Sequence, residues 1–419
     1  MTMGLLFLAI FTVSYTLVAK KLSATIITAP MLFLGFGVLI ASTELMPAHE
    51  AKELLHVVAE LALIILLFLD AAQIDLRALK THYAWPMRML LIGLPLSILF
   101  GTLFFWPFLS GQLSLVAIAL LAAILAPTDA ALGQAVVTNT AVPERVRRGL
   151  TVESGLNDGL ALPAILLFAS LAAEAMEKDG QNWLLFGALQ ILLGPLVGAF
   201  CGHVGGLMFL AAKRRKMTSQ HIEGIGAIAL ACAAYLLAGE VGGNGFIAAF
   251  VAGLFFGNTV KGECPFIYEF TEDEGQMLTW GAFFLIGLAL VPEAVQHLDL
   301  QTLGLILLSL FVVRPLAIWI SLSGSEALPQ TRLFFGWFGP RGLATALFAL
   351  LIVERIDPDL GETILNFAIN TVWISAILHG VSAVPAARWY AGVIAGRRDP
   401  AEAADMPAMR PEQKLGGPS

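Results

Sequence analysis

The sequence predicts an all-α polytopic membrane protein with about thirteen transmembrane helices, arranged as two inverted six-helix repeats with crossing broken helices. Of its 419 residues, 58% are hydrophobic and only 13% are charged. A soluble domain carries roughly 25% charged residues. Much of this surface must therefore face lipid. The other two observations are the length of the apolar runs and two interrupted runs seven segments apart.

Thirteen apolar runs are long enough, or nearly long enough, to cross a bilayer, which takes about 20 helical residues. The ninth run is short and rich in glycine. The runs cover residues 3–19, 24–43, 54–73, 86–106, 112–137, 149–173, 183–211, 222–239, 243–257, 274–291, 300–322, 331–353 and 361–390.

The distribution of Lys and Arg supports this segmentation. If the runs alternate in direction, 19 basic residues fall on one side, 3 fall on the other (Lys52, Lys178 and Arg355), and Arg314 and Arg341 lie inside runs, which accounts for all 24. Positive-inside then predicts an N-terminus outside and a C-terminus in the cytoplasm.

The fifth run is interrupted in its middle by Pro127, Thr128 and Asp129. Proline lacks an N–H and clashes with the preceding turn, so it should break the helix. A transmembrane break is tolerated only where it lines a cavity or is buried in protein. Asp129 could cap the second half-helix, serve a transport site, or do both.

The sixth run contains Glu153, Ser154, Asn157 and Asp158. Helical periodicity places Glu153 and Asn157 on one face, and Ser154 and Asp158 on the adjacent face. Asp158 thus gains a hydroxyl group one turn away, which suits a cation that prefers oxygen ligands. Ionisable groups inside the membrane are costly and mark ion or proton pathways. Alternatively, Asp158 pairs with a basic residue.

The twelfth run is interrupted at Gly339-Pro340-Arg341-Gly342. Interrupted segments in corresponding positions of two halves point to a transporter's binding site. The fifth and twelfth runs are seven segments apart. Because seven is odd, the two runs cross the membrane in opposite directions, and the two halves therefore have opposite orientations. Where two broken helices cross, Asp129 suits positive half-helix ends and Arg341 suits negative ones. Arg341 is also the predicted partner of Glu153.

Four further residues are open to more than one interpretation. Asp70 is either a site ligand, a funnel residue or a bland interfacial group, and Glu60 is either functional or a satisfied buried acid. Arg314 is interpreted as a snorkelling residue or a structural pair. His379 could sense pH, but a packed neutral histidine is the simpler interpretation.

At these residues the chain resembles the monovalent cation–proton antiporters of the NhaP/NHE branch. The resemblance covers nearly the whole membrane region. Its motifs, in the family's order, are the Leu69-Asp70 to Arg77 stretch, Pro127-Thr128-Asp129, the run from Glu153 to Gly159, the run from Gly243 to Gly253, and Gly339-Pro340-Arg341-Gly342. The chain departs from the pattern at Ala130, where proline is usual, and at Asp70, where glutamate is usual.

The resemblance implies a Na⁺/H⁺ antiporter in which Asp158 binds the cation or the proton. Ser154, the Thr128 backbone and Asp70 would help to coordinate Na⁺, with Asp129 and Asn157 acting nearby. Glu153 and Arg341 would form a structural ion pair. Asn157 stands where electrogenic relatives have a second Asp, which favours electroneutral 1:1 exchange.

The resemblance also implies a homodimer in which a core moves against a dimerisation domain. The expected divisions are 1–80 and 216–295 for the dimerisation domain, 81–175 and 296–393 for the core transport domain, 176–215 for a linker helix, and 394–419 for a disordered cytoplasmic tail. A bacterial inner membrane is the expected location. No cofactor, enzyme activity or nucleic-acid partner is expected.

Three alternatives to Na⁺/H⁺ exchange use the same carboxylates. They are K⁺/H⁺ or Li⁺/H⁺ antiport, a cation channel, and an intramembrane aspartyl protease that would pair Asp129 with Asp158. The sequence lacks the Gly-x-Gly-Asp run of such proteases and the repeated filter of a channel.

Overall fold

A computed structural model describes residues 2–22, 25–43, 45–74, 76, 84–129, 132–174, 183–261, 263–353, 355–397 and 400–403. Within these ranges the regular structure is helical throughout. Arg77 of the first motif and the departure at Ala130 lie outside the described residues.

Sixteen principal helices are numbered here in chain order. They are α1 (Thr2–Leu22), α2 (Ala29–Ala41), α3 (Ala48–Ala72), α4 (Ala84–Leu109), α5 (Leu115–Ile124), α6 (Gln134–Val137), α7 (Glu144–Glu174), α8 (Trp183–Arg214), α9 (Gln220–Glu240), α10 (Gly245–Val260), α11 (Pro265–Ala289), α12 (Val291–Gln296), α13 (Leu300–Ser321), α14 (Pro329–Trp337), α15 (Leu343–Val353) and α16 (Pro358–Ala395).

The prediction of thirteen membrane segments is confirmed. Among the described residues, eight helices are long and apolar enough to cross a membrane, and five shorter apolar helices bring the sum to thirteen. Each overlaps one predicted run, and several extend a few residues beyond it. The fifth run divides into α5 and α6, and the twelfth divides into α14 and α15. The two predicted breaks are therefore real interruptions of the helical backbone.

Two helices seven segments apart carry the same distortion. Residues 89–93 of α4 and 309–313 of α13 form π-helical turns, in which Leu94 N bonds Met89 O and Arg314 N bonds Ser309 O. A proline lies two residues after the end of each turn, Pro95 in α4 and Pro315 in α13. Proline cannot make the ordinary helical bond, and a wider turn relieves its clash. This recurrence fits the inverted repeat.

The helices pack in two groups. One contains α2, α3 and α8 to α11, and the other contains α4 to α7 and α13 to α16. In the first group, glycines allow backbones to touch: a Cβ on Gly253 or Gly257 of α10 would lie 2.0 or 1.9 Å from a carbonyl oxygen of α3. Small residues of this kind permit close helix packing in membranes.

The C-terminal segment is ordered further than predicted. Helix α16 continues to Ala395, and Ala401–Ala403 form a short 3₁₀ turn. The Glu402 side chain is fully buried and accepts hydrogen bonds from Leu328 N at 2.9 Å and Thr331 Oγ1 at 2.6 Å. The prediction of disorder from 394 is thus wrong for these residues, because Glu402 satisfies the N-terminus of α14. Residues 404–419 lie outside the described residues.

Candidate functional site

The two broken helices cross at their breaks and complete each other's backbone. Asp129 N donates to Pro340 O at 2.9 Å, and the Asp129 carboxylate accepts from Leu343 N at 3.0 Å, at the start of α15. In return, the Arg341 guanidinium donates to Ala126 O at 2.8 Å and to Pro127 O at 3.1 Å. The Asp129 carboxylate therefore lies at the positive, N-terminal end of α15. The Arg341 guanidinium lies at carbonyl groups just past the negative, C-terminal end of α5.

Glycines on either side of Arg341 make this crossing possible. A Cβ on Gly342 would lie 2.0 Å from Asp129 Oδ2, and one on Gly339 would lie 1.7 Å from Arg314 Nε. Any larger residue would displace one of these side chains. The spacing Gly-Pro-Arg-Gly thus has a steric reason at both ends.

Glu153 is paired with Arg314, so the predicted pairing with Arg341 is wrong. Arg314 Nη1 and Nη2 both lie 3.1 Å from Glu153 Oε1, and Nη2 lies 3.0 Å from Oε2. Both residues are only 3% exposed. The physical reason is that the Arg341 guanidinium already donates to the carbonyls of the first break, whereas Arg314 is buried within hydrogen-bond distance of Glu153.

Thr128 connects the first break to α7. Ser154 Oγ donates to Thr128 O at 2.7 Å, and the Asn157 amide donates to Thr128 Oγ1. Thr128 Oγ1 in turn donates to Glu153 Oε2, and Asn157 Nδ2 to Glu153 Oε1, each at 3.4 Å. The two predicted faces of α7 therefore converge on one residue of the break.

Asp158 differs from the other acids in this region. Its side chain is partly exposed, but its Oδ1 is buried, and among the described residues this oxygen has no hydrogen-bond donor. Asp129, Asp70 and Glu153 are the acidic groups that interact with it electrostatically. Asp70 of α3 lies against Gly155, where a Cβ would be 3.3 Å from Asp70 Cβ.

A small pocket lies beside the break. Thr128, Ser154 and Pro340 are among its lining residues. Val136 and Val137 of α6 line it as well. Polar groups of the break thus border a pocket in this structure.

Most predicted site residues lie in one region, and two features were not predicted. Thr128, Asp129, Ser154 and Asn157 lie at the break, and Asp70 lies against α7, the helix that carries Asp158. The first is the pairing of Arg314 with Glu153, for which the available signal was the position of Arg314 before a proline in an apolar run. The second is the close packing at the crossing, for which the signal was the spacing of Gly339 and Gly342. Across the described residues, no cluster of three or more His, Cys, Asp or Glu side chains could hold a metal ion.

Comparisons with known proteins agree with this architecture. The K⁺/H⁺ antiporter NhaP of Alkalimonas amylolytica is 28% identical over 272 residues, which are 64% of this chain and 46% of that protein. The probable Na⁺/H⁺ antiporter 2 of Methanocaldococcus jannaschii is 23% identical over 397 residues, or 88% and 92% of the two chains. The match thus spans about half the length of the first of these relatives.

A solved structure has the same fold. The sodium proton antiporter MjNhaP1 from Methanocaldococcus jannaschii superimposes with a TM-score of 0.78 at 22% sequence identity, over 93% of this chain and 99% of that chain. The family described as sodium/hydrogen exchanger, transmembrane, matches residues 7–389. With thirteen apolar helices and two crossing breaks already established, this multi-pass membrane protein belongs to the sodium/hydrogen exchanger family.

Proposed function

We propose that this chain is a secondary transporter that exchanges a monovalent cation for H⁺ at Asp158. The proposal rests on which of the acidic side chains around the crossing already have a partner. Glu153 is paired with Arg314, and the Asp129 carboxylate caps α15. Asp158 has no basic partner among the described residues and keeps one buried oxygen without a donor. An uncompensated carboxylate in a membrane favours binding of a cation or a proton.

One carboxylate can couple the two fluxes by competition. Asp158 carries either a cation or a proton, and the protein changes conformation only when the charge is neutralised. A buried anion that crosses the bilayer uncompensated would face a large desolvation cost. Oxygen atoms close to α7 would supply the other cation ligands, namely the Ser154 hydroxyl, the Thr128 carbonyl and the Asp70 carboxylate. Unwound backbone carbonyls are common ion ligands in transporters.

Ser154 offers a way to exchange ligands. Its hydroxyl donates to Thr128 O in this structure, so the two oxygens already lie 2.7 Å apart. When a cation displaces the hydroxyl hydrogen from between these two oxygens, each oxygen can offer it a lone pair, because a hydroxyl is both donor and acceptor. The Asn157 amide, which donates to Thr128 Oγ1, would hold the Thr128 segment in place meanwhile.

Alternating access is part of the proposal. Residues 81–175 and 296–393 would form a moving core, residues 1–80 and 216–295 a dimerisation domain, and α8 the link between them. Orientation by the positive-inside rule puts the α6–α7 loop in the cytoplasm. A homodimer, which the family resemblance implies, is also part of the proposal.

The transported cation is Na⁺ or K⁺. The relatives named above are called a K⁺/H⁺ antiporter and a probable Na⁺/H⁺ antiporter. Electroneutral 1:1 exchange is proposed because Asn157, and not a second carboxylate, precedes Asp158. A protease that pairs Asp129 with Asp158 is disfavoured because the Asp129 carboxylate is engaged at the start of α15.

The test is proton-coupled cation flux in liposomes. Purified protein is reconstituted with an imposed pH gradient, and Na⁺, K⁺ and Li⁺ are added in turn while internal pH is followed. Wild type should dissipate the gradient with at least one cation, and Asp158→Asn should abolish this activity. Asp299→Asn is the matched control, because it removes a carboxylate outside the spanning residues. Retained exchange in Asp158→Asn would refute the assignment, and a rate that follows a clamped potential would refute electroneutrality.

A further inference from the structure

The break between α14 and α15 leaves backbone groups that no helical bond satisfies. Two of them, Trp337 O and Arg341 N, lie on opposite sides of the break and are bonded by α16; Trp337 O also accepts from Gly339 N at 2.8 Å within the break. Arg341 N donates to Ser375 Oγ at 2.7 Å, and His379 Nε2 lies 2.8 Å from Trp337 O. Buried backbone groups need such partners, because an unsatisfied one costs about 1–3 kcal/mol.

Ser375 and His379 form one continuous hydrogen-bond relay. They are one helical turn apart, and Ser375 Oγ lies 3.1 Å from His379 Nδ1. Since Ser375 Oγ accepts from Arg341 N, its own proton is available for Nδ1. With Nε2 protonated, the imidazole donates to the Trp337 carbonyl. Nδ1 also lies 2.9 Å from the Ser375 carbonyl oxygen, so the ring contacts both polar groups of Ser375 as well as Trp337 O.

The surroundings agree with a neutral ring. Ser375 and His379 are at most 1% exposed. The charged groups that interact with His379 are Arg341 and Arg314, so an imidazolium would add a third positive charge to a buried site. The ring also stacks on Trp337, with centroids 4.6 Å apart, and this contact fixes its plane.

We infer that Ser375 and His379 are positioning residues, which hold the two ends of this break at a fixed separation. The inference rests on the proposed function at Asp158. From Arg341 the restraint reaches the site, because its guanidinium holds Ala126 O and Pro127 O, next to Thr128. Pro340 O accepts from Asp129 N. Loss of the relay therefore displaces the Thr128 carbonyl and weakens cation binding without touching Asp158.

The experiment uses three variants of the full chain. Ser375→Ala removes the acceptor for Arg341 N, and His379→Leu removes the polar contacts of both ring nitrogens. Ser382→Ala is the matched control, because Ser382 lies on the same helix and bonds the Trp337 indole at 2.9 Å, yet does not bridge the break. His379→Gln keeps an N–H donor for the Trp337 carbonyl.

The first readout is hydrogen–deuterium exchange of the segment 337–343 in detergent. Loss of one hydrogen bond predicts exchange about tenfold faster in Ser375→Ala and His379→Leu. Ser382→Ala should match wild type, and His379→Gln should fall between wild type and His379→Leu. Unchanged exchange in Ser375→Ala and His379→Leu would overturn the relay, whether or not the protein transports ions.

The second readout is the KM for the cation in liposomes. Ser375→Ala and His379→Leu should raise KM by about tenfold, since displacement of a ligand by a fraction of an ångström is costly. A purely structural role would lower only the amount of active protein and leave KM unchanged, and that result would overturn the positioning role. If wild type itself shows no exchange, the proposed function fails while the deuterium readout still tests the relay.

Discussion

Removing one member of the Glu153–Arg314 pair should destabilise the protein severely. At the closest N–O distance of 3.0 Å, Coulomb's law with an effective dielectric of about 20 gives roughly 5 kcal/mol of attraction. Desolvation of two buried ions offsets much of this gain. For Arg314→Met, which leaves a buried carboxylate uncompensated, we expect a loss of about 3–5 kcal/mol in the free energy of unfolding.

The double variant separates pairing from packing. With Glu153→Gln added to Arg314→Met, no charge is left buried, so the double variant should be more stable than Arg314→Met alone. Reversible unfolding by SDS in mixed micelles, followed by circular dichroism, measures the free energy of unfolding of wild type, Arg314→Met and the double variant. Arg88→Met is the matched control, because that guanidinium bonds Ser321 O at 2.7 Å, at a helix end, and should cost less. Additive losses in the double variant would refute the reasoning.

Three further substitutions test other parts of the structure. Glu402→Ala removes the acceptor for Thr331 and the α14 N-terminus and should cost about 1–3 kcal/mol of unfolding free energy, measured as a lower Tm. Gly257→Ala forces a Cβ against an α3 carbonyl and should cost about 1–3 kcal/mol, whereas Gly304→Ala, with open space around it, should not destabilise. Asp299→Ala should cost about 1 kcal/mol because it removes the N-cap of α13.

The Asp299 prediction has a pH dependence of known sign. The Thr302 backbone N–H bonds the carboxylate at 2.7 Å and lowers the pKa of Asp299 below its ordinary 3.8. The cap is therefore at full strength above pH 3.8 and weakens as the pH falls through the lowered value. The stability gap between wild type and Asp299→Ala should close in acid. A gap that is unchanged at pH 2, or an unaltered Tm in Glu402→Ala, would contradict these assignments.

Sequence periodicity and elementary electrostatics were sufficient to predict the crossing of the two broken helices. Pro127 and Pro340 interrupt apolar runs, and a proline cannot continue a helix in a membrane without an alternative partner for the freed backbone. The acid in one break and the base in the other then match the half-helix dipoles, and the contacts of Asp129 and Arg341 agree with that expectation. These conclusions depend on local chemistry only.

The partner of Glu153 could not be obtained in this way. Both Arg314 and Arg341 were buried bases with the right charge, and choosing between them requires knowledge of which carbonyls each one reaches. Arg314 follows a π-helical turn, whose i→i+5 hydrogen bonds shift the helical phase of the residues after it. The regular helical period therefore does not place the Arg314 side chain. Likewise, Glu402 was assigned to a disordered tail because its partner Thr331 lies 71 residues away.

The sequence by itself determined the thirteen membrane segments, the two breaks and the residues of α7 that face them. These features follow from hydrophobic length, helical period and the special backbone of proline, all of which act within a few residues. Only the tertiary structure decided how the charges are paired. Which carboxylate is neutralised by a guanidinium, which caps a helix, and which is left with a buried oxygen depends on contacts between distant segments. Asp158 stands apart from the other acids because the remaining partners are already in use.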